Sequence, residues 1–179
     1  MDLIKNLVIG GAITLVVGGT VFAFNQQDVV DNFAEETGYT QEQAAQYVTN
    51  VSEDELASFD SLGTDYISES EETLKLANSL DCVNYEYEWE SASLSCGTAK
   101  NQLQTIARAE ESLGRAYIQL NSENASESDM RSAMRCIDLL NSAYNNEISK
   151  VFFDSEVLKE IELTNSYNKS LLRSALESK

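Results

Sequence analysis

Glu110 stands at a core position of a heptad pattern, where an ionisable side chain has the chemistry to bind a cation or hold a neighbouring helix in register. The other core positions of this heptad are apolar or aromatic: Leu103, Ile106, Leu113, Tyr117 and Leu120. Glu110 would pair with Arg131 or Arg135 of the following helix, or face a polar cavity with Asn165 and Asn168. The simpler alternative is a slightly rotated helix that exposes Glu110 to water.

The sequence contains no histidine, which narrows the chemistry available to it. Ser-His-Asp and Cys-His arrangements, imidazole bases and the Glu-x-x-His pairs of di-iron bundles are all excluded. No phosphate-binding glycine loop or dinucleotide fingerprint occurs. The three cysteines also lack the spacing of a zinc site. We therefore expect neither enzymatic activity, nor a cofactor, nor a bound metal.

Two cysteines, Cys82 and Cys96, lie at the end of one predicted helix and just before the next. In a protein outside the cytoplasm this placement predicts a disulfide that closes the intervening loop. Cys136 lies inside a predicted helix, where a cysteine is usually a small buried apolar residue.

Three aromatic residues, Tyr85, Tyr87 and Trp89, alternate with acidic residues inside that loop. Strict alternation predicts a short strand or an extended loop. Exposed aromatic side chains are favoured at interfaces, so we interpret these three as candidate partner contacts. The alternative is that they cover one end of the helical domain.

Apolar residues recur with helical spacing over residues 65–81, 98–120, 126–153 and 154–177. Shorter helices are predicted near residues 40–48, after a capping box of Thr40 and Gln43, and over 52–62, ended by Gly63. The chain has no proline, which argues against a sandwich or barrel. The predicted fold class is all-α, an antiparallel bundle of about four main helices with one disulfide-held loop.

The N-terminal residues 7–24 form an uncharged run that is long enough to cross a bilayer as a helix, about 27 Å. We expect a single transmembrane signal anchor, with a cleaved signal peptide ending at Ala23 as the alternative. Gly10, Thr14 and Gly18 would share one face of this helix and allow close packing with a second membrane helix.

Charge sets the expected orientation and partners. Lys5 precedes the apolar run, and no other Lys or Arg occurs before Lys75, so the N-terminus is expected in the cytoplasm and the body outside it. The net charge of −18 disfavours nucleic acid as a partner. The acidic stretch 53–72 either binds cations or a basic partner, or only confers solubility.

These observations divide the chain into an anchor, 1–24, a membrane-proximal acidic segment, 25–64, and a bundle domain, 65–179. The first functional hypothesis is a membrane-anchored, extracytoplasmic structural or interaction protein, a subunit of a larger assembly or a self-associating component. One alternative is a sensor or carrier that binds a small ligand or cation through the polar layer of Glu110, Asn165 and Asn168. Another is a secreted acidic helical protein.

Overall fold

The structure, a computed structural model, describes residues 12–53, 59–82, 87–89, 92–94 and 96–178. Within these ranges the chain is mostly helical, as the sequence predicts, and two short hairpins accompany the helices. The helices are α1 Gln26–Thr37, α2 Gln41–Glu53, α3 Phe59–Ser79, α4 Cys96–Leu120, α5 Glu127–Tyr144, α6 Ser149–Phe152 and α7 Ser155–Glu177. The strands are β1 Ala12–Val17, β2 Thr20–Asn25, β3 Tyr87–Trp89 and β4 Ala92–Leu94.

Strands β1 and β2 form an antiparallel hairpin whose register pairs Leu15 with Phe22. Gly18 and Gly19 make the turn with φ of 57° and 74°. Two successive positive φ values are what a two-residue type I′ turn requires, and glycine adopts them without strain. Alternate side chains of the hairpin enter the core and are almost fully buried: Ile13, Leu15, Val17, Phe22 and Phe24.

The transmembrane helix predicted over residues 7–24 is therefore wrong for residues 12–24, which form the hairpin. Thr14 pairs with Ala23 across the hairpin and Gly18 lies in the turn, so they do not share a helix face. Gly10 lies outside the described residues. Among the residues that the structure does describe, no helix is both long enough and apolar enough to cross a membrane.

Local capping explains where α1 and α2 begin. The Asn25 side chain accepts the N–H of Gln27 at 3.0 Å and starts α1. The predicted capping box before α2 is present, since Thr40 N–H donates to Gln43 Oε1 at 3.1 Å and Gln43 N–H donates to Thr40 Oγ1 at 3.3 Å. The start predicted for the next helix, at residue 52, is wrong, because residues 52 and 53 belong to α2. Residues 54–58 lie outside the described residues, and α3 is described from Phe59.

Helices α3 and α4 cross at two glycines. A Cβ atom built on Gly63 would lie 2.7 Å from the carbonyl oxygen of Gly114, and one built on Gly114 would lie 2.7 Å from the carbonyl oxygen of Gly63. Gly63 was expected to end a helix, but α3 runs through it. Its role is instead to let two helix backbones approach closely, as small residues do at helix interfaces.

The predicted helix over residues 126–153 is interrupted. Helix α5 ends at Tyr144, and after a turn the short α6 follows. In that turn the Asn146 side chain accepts the N–H of Ile148 at 2.9 Å. Asparagine competes in this way with the helical backbone pattern, which explains a break that the apolar periodicity does not reveal.

One hydrophobic cluster combines buried residues from all three of the segments predicted from the sequence. It includes Leu15 of the hairpin, Phe33 of α1, Val48 of α2 and Leu172 of α7. The hairpin, the first two helices and the bundle thus share a core in the structure.

Candidate functional site

The predicted disulfide between Cys82 and Cys96 is present, with Cα atoms 5.1 Å apart. It joins the chain just after α3 to the first residue of α4. Cys136 in α5 is free and half-buried, and burial raises the pKa of its thiol, which makes it a poor nucleophile.

The predicted aromatic strand is present in part. Tyr87 and Trp89 lie in β3, which pairs antiparallel with β4. Tyr85 lies outside the described residues, and the partner contact assigned to these three aromatics stays a prediction.

Glu110 is buried in the bundle, with 1% of its surface exposed. The Tyr144 hydroxyl of α5 donates to its Oε1. Its other oxygen, Oε2, has no hydrogen-bond partner among the described residues, although the buried Thr73 hydroxyl lies nearby. Its hydrogen-bond partner is thus a tyrosine rather than Arg131 or Arg135, and both arginines are exposed.

Burial raises the pKa of the Glu110 carboxyl, and the hydrogen bond from Tyr144 and the nearby Thr73 hydroxyl offset this only in part. Burial also raises the pKa of the Tyr144 hydroxyl, and the charge of Glu110 raises it further. Burial of the pair therefore opposes a negative charge on either group.

The asparagines predicted to join Glu110 in a polar layer are buried as well, on the facing side of α7. Tyr66 Oη donates to Asn165 Oδ1 at 2.8 Å, and Asn165 Nδ2 donates to Asn141 Oδ1 at 2.9 Å. Asn168 Nδ2 donates to Tyr117 Oη at 3.3 Å. Glu110 raises the pKa of Tyr66 by its charge, but no direct hydrogen bond joins it to either asparagine. These hydrogen bonds tie α3, α4, α5 and α7 together.

The raised pKa of Glu110 predicts a pH-dependent stability. Between the ordinary value of 4.5 and the raised value, the folded state binds more protons than the unfolded state. The free energy of unfolding must therefore fall as pH rises through this window, by up to about 1.4 kcal/mol per pH unit. We expect Glu110→Gln to reduce this slope, while Glu69, whose pKa is also raised by burial, keeps the remainder.

Urea unfolding of the two proteins between pH 4 and pH 8 measures this difference. Glu71→Gln, at an exposed site on α3, is the matched control and should keep the wild-type slope. An unchanged slope in Glu110→Gln would show that Glu110 titrates normally.

A pocket of about 500 Å³ opens beside this layer, between α2, α3 and α7. Its volume lies within the range of small-molecule sites. The apolar and aromatic side chains that line it come from all three helices: Tyr47, Val51, Leu62, Leu163 and Tyr167. Asn168 also lines it and connects the pocket wall to Tyr117 in the core.

One stripe of α7 supplies most of the pocket wall. Glu156 comes first along this stripe, and Lys159 with Glu160 follows one turn later. Leu163 with Thr164 and then Tyr167 with Asn168 follow at successive turns. The three charged side chains are exposed and the last pair is buried. The pocket thus runs from a charged end towards an apolar and aromatic end.

Tyr167 lines this pocket, but its hydroxyl oxygen is almost completely shielded and does not face the open space. Its residue is 1% exposed, and its hydroxyl makes no hydrogen bond within the part of the chain that the structure describes. A buried hydroxyl left without a partner costs about 1–3 kcal/mol. Burial raises the pKa of this hydroxyl, and the neighbouring Tyr47 raises it further, so it stays neutral.

Tyr47 stands on the opposite wall, on α2. Its ring centroid lies 6.4 Å from that of Tyr167, with the rings close to edge-on, and 4.7 Å from that of Phe33, with the rings stacked. Burial raises the pKa of the Tyr47 hydroxyl, a hydrogen bond from Thr164 lowers it, and the charge of Glu160 raises it again. The stacked Phe33 holds this wall in place.

A smaller pocket of about 320 Å³ lies between α5, α6 and α7. Tyr144 and Asn141 line it, so it reaches the hydrogen-bond partner of Glu110 but not Glu110 itself. Within the described ranges, no group of three or more acidic or cysteine side chains is arranged to hold a metal ion.

The sequence predicted one lining residue of this pocket but not the packing of the three helices that forms it. Asn168 was predicted in the polar layer, whereas Tyr167 was not singled out. The spacing of Glu160, Leu163 and Tyr167 indicates from the sequence that they share one face of α7. The surface opposite that face belongs to α2 and α3, which lie about 100 residues earlier in the chain, so the sequence does not reveal it.

Comparison with protein-family models, with curated proteins and with solved structures finds no match to this chain. The assignment of a function therefore depends on the geometry described above.

Proposed function

We propose that this protein is an extracytoplasmic, non-catalytic binding protein that holds a small ligand in the pocket between α2, α3 and α7. The observation that carries the proposal is the pocket of about 500 Å³, whose apolar and aromatic lining comes from three helices. A pocket with apolar walls and a few polar groups is the usual form of a ligand site.

Two further features support this proposal. Asn168, a member of the predicted polar layer, lines the pocket and adds a polar side chain to its apolar wall, whereas Glu110 does not line it. The Cys82–Cys96 disulfide is typical of proteins in an oxidising compartment, which favours a location outside the cytoplasm. The proposal includes no membrane helix at residues 12–25, because these residues form the hairpin.

The neutral fluorophore N-phenyl-1-naphthylamine tests the pocket, because its emission rises in an apolar site. We expect saturable binding of one molecule to the wild-type protein. Leu163→Trp fills the pocket and should weaken binding at least about tenfold, a loss of about 1.4 kcal/mol. Leu139→Trp, at an exposed site on α5, is the matched control and should bind as the wild type does.

Equal binding by wild-type protein and Leu163→Trp would place the fluorophore elsewhere and contradict the proposal. Circular dichroism of both variants shows whether each keeps the helical content of the wild type, so that loss of binding through a filled pocket can be told from loss of the fold.

A second candidate is the protein-interaction role, as a subunit of an assembly or a self-associating component. Large apolar side chains that are exposed in the structure favour it, Leu139 at 62% and Val21 at 63%. These residues lie on α5 and β2, and single exposed apolar residues are common on soluble proteins. This makes interaction the weaker candidate.

A further inference from the structure

The shape of the α2–α3–α7 pocket indicates which class of ligand it takes. From it we infer that the pocket holds a single-chain amphiphile, whose hydrocarbon tail lies along α7 towards Tyr167 and whose polar head stays at the charged end. This inference rests on the proposed function and adds the shape and the orientation of the ligand.

The pocket is long and narrow. Its lining residues on α7 extend from Glu156 to Asn168, which is about 18 Å along a helix axis. A volume of about 500 Å³ spread over this length has a mean cross-section of about 28 Å². This is close to the cross-section of one extended hydrocarbon chain, or of a flat ring system seen end-on, and far below that of a compact molecule of the same volume. The shape therefore favours a linear ligand.

The walls favour a hydrocarbon tail. Aliphatic side chains from three helices line the pocket: Val51 of α2, Leu62 of α3 and Leu163 of α7. Each CH₂ group that leaves water against such a wall strengthens binding. A ligand with polar groups along its whole length would instead lose hydration there without gaining hydrogen bonds.

The charged end of the pocket is in contact with water. Glu156, Lys159 and Glu160 line this end, and all three side chains are exposed. A polar head placed here keeps its hydration, so binding does not require its burial. Both signs of charge are present at this end, so the tail rather than the head is the part of the ligand that the pocket selects.

The opposite end is buried, and its polar groups are already engaged or shielded. Asn168 Nδ2 donates to Tyr117 Oη at 3.3 Å, and a hydrogen bond joins Thr164 to the Tyr47 hydroxyl. The Tyr167 hydroxyl oxygen is shielded from the open space. The end of a hydrocarbon tail needs no hydrogen bond here, whereas a second polar group would lose hydration that these side chains do not replace.

Two alcohols with eight carbons test the shape: 1-octanol, which is linear, and cyclooctanol, in which the same carbons form a ring. Each is titrated against the wild-type protein loaded with N-phenyl-1-naphthylamine, a flat molecule, and displacement is read from the emission. We expect cyclooctanol to need at least about tenfold more than 1-octanol. From 1-hexanol to 1-decanol, each added CH₂ should lower the displacing concentration by about fourfold.

A second pair of probes, 1-decanol and 1,10-decanediol, tests the orientation in the same displacement assay. The two have the same chain and differ by one hydroxyl at its far end. We expect the diol to be at least about tenfold weaker, because its second hydroxyl must lose its water at the buried end. If both ends of the ligand stayed in water, the second hydroxyl would cost nothing.

Leu62→Ala assigns the shape selection to the channel wall. The shorter side chain widens the pocket, so the advantage of 1-octanol over cyclooctanol should fall by at least about threefold. The advantage compares two probes on one protein, so a general loss of stability does not change it. Leu139→Ala, at an exposed site on α5, is the matched control and should keep the wild-type advantage.

The outcomes separate this inference from the proposed function. Equal displacement by 1-octanol and cyclooctanol would overturn the linear shape, and equal displacement by 1-decanol and 1,10-decanediol would overturn the orientation. Binding of the fluorophore with no displacement by any alcohol would overturn the amphiphile and leave the pocket as a ligand site. Failure of the fluorophore itself to bind would overturn the proposed function and this inference together.

Discussion

Leu15→Ala should lower the free energy of unfolding by about 2–5 kcal/mol, the range for large-to-small changes in a core. Leu15 is 1% exposed in β1 and belongs to the same hydrophobic cluster as Leu172 of α7. Val21→Ala, on β2 of the same hairpin, removes two methyl carbons from a side chain that is 63% exposed. It should change stability by less than about 0.5 kcal/mol.

Urea unfolding of the two variants in aqueous buffer measures this contrast. The comparison distinguishes the hairpin from a membrane helix. In a membrane helix, Leu15 and Val21 would both face lipid or another membrane helix, and neither would contribute to the core of a domain in water. Equal effects of the two substitutions on the unfolding midpoint would contradict the hairpin.

Gly63→Ala and Gly114→Ala should each destabilise the protein by about 1–3 kcal/mol compared with a glycine-to-alanine change where the methyl group has room. The reason is that the added methyl group overpacks the α3–α4 crossing. The new Cβ would lie 2.7 Å from a backbone carbonyl oxygen in both cases. Backbone atoms cannot rotate away as a flexible side chain can, so the two helices must separate.

Gly97→Ala supplies the matched control within the same helix, α4. A Cβ at Gly97 would meet no atom of the described neighbouring residues within 4 Å. This change should stabilise by up to about 1 kcal/mol through reduced freedom of the unfolded chain. Thermal unfolding of the three variants gives the comparison. A Gly63→Ala protein as stable as Gly97→Ala would show that the helices do not cross closely at this point.

The longer helices could be predicted because their signal is local. Apolar residues at helical spacing identified α4 and α7, and Asp154 caps α7 where the pattern begins, accepting the N–H of Glu156 at 2.8 Å. The disulfide was also predictable, since the two cysteines border the same loop. In each case residues close in sequence carried the information.

The N-terminal hairpin shows where hydropathy misleads. Ile13, Leu15 and Val17 alternate along β1, and Gly18-Gly19 follows, which is a hairpin signal. The intervening side chains, such as Val16, are apolar too, so a hydropathy scale does not show the alternation of buried and exposed positions. Only the packing against the helices distinguishes the buried face from the exposed one.

The pocket could not be predicted from the sequence because it depends on long-range packing. Three of its lining residues lie on three different helices: Tyr47, Leu62 and Tyr167. In the sequence, each of them has the pattern of an ordinary core residue. Gly63 is a similar case, since a glycine in a helical pattern signals a helix end as readily as a close crossing. Its partner, Gly114, is about 50 residues away.

Native mass spectrometry of the protein isolated from its natural source tests the ligand-binding proposal most directly. We expect a mass above that of the polypeptide by a small molecule, lost on collisional activation and absent from Leu163→Trp prepared in the same way. A folded wild-type protein of polypeptide mass, found alone or within a larger assembly, would contradict the proposal, and the assembly would favour the interaction role instead.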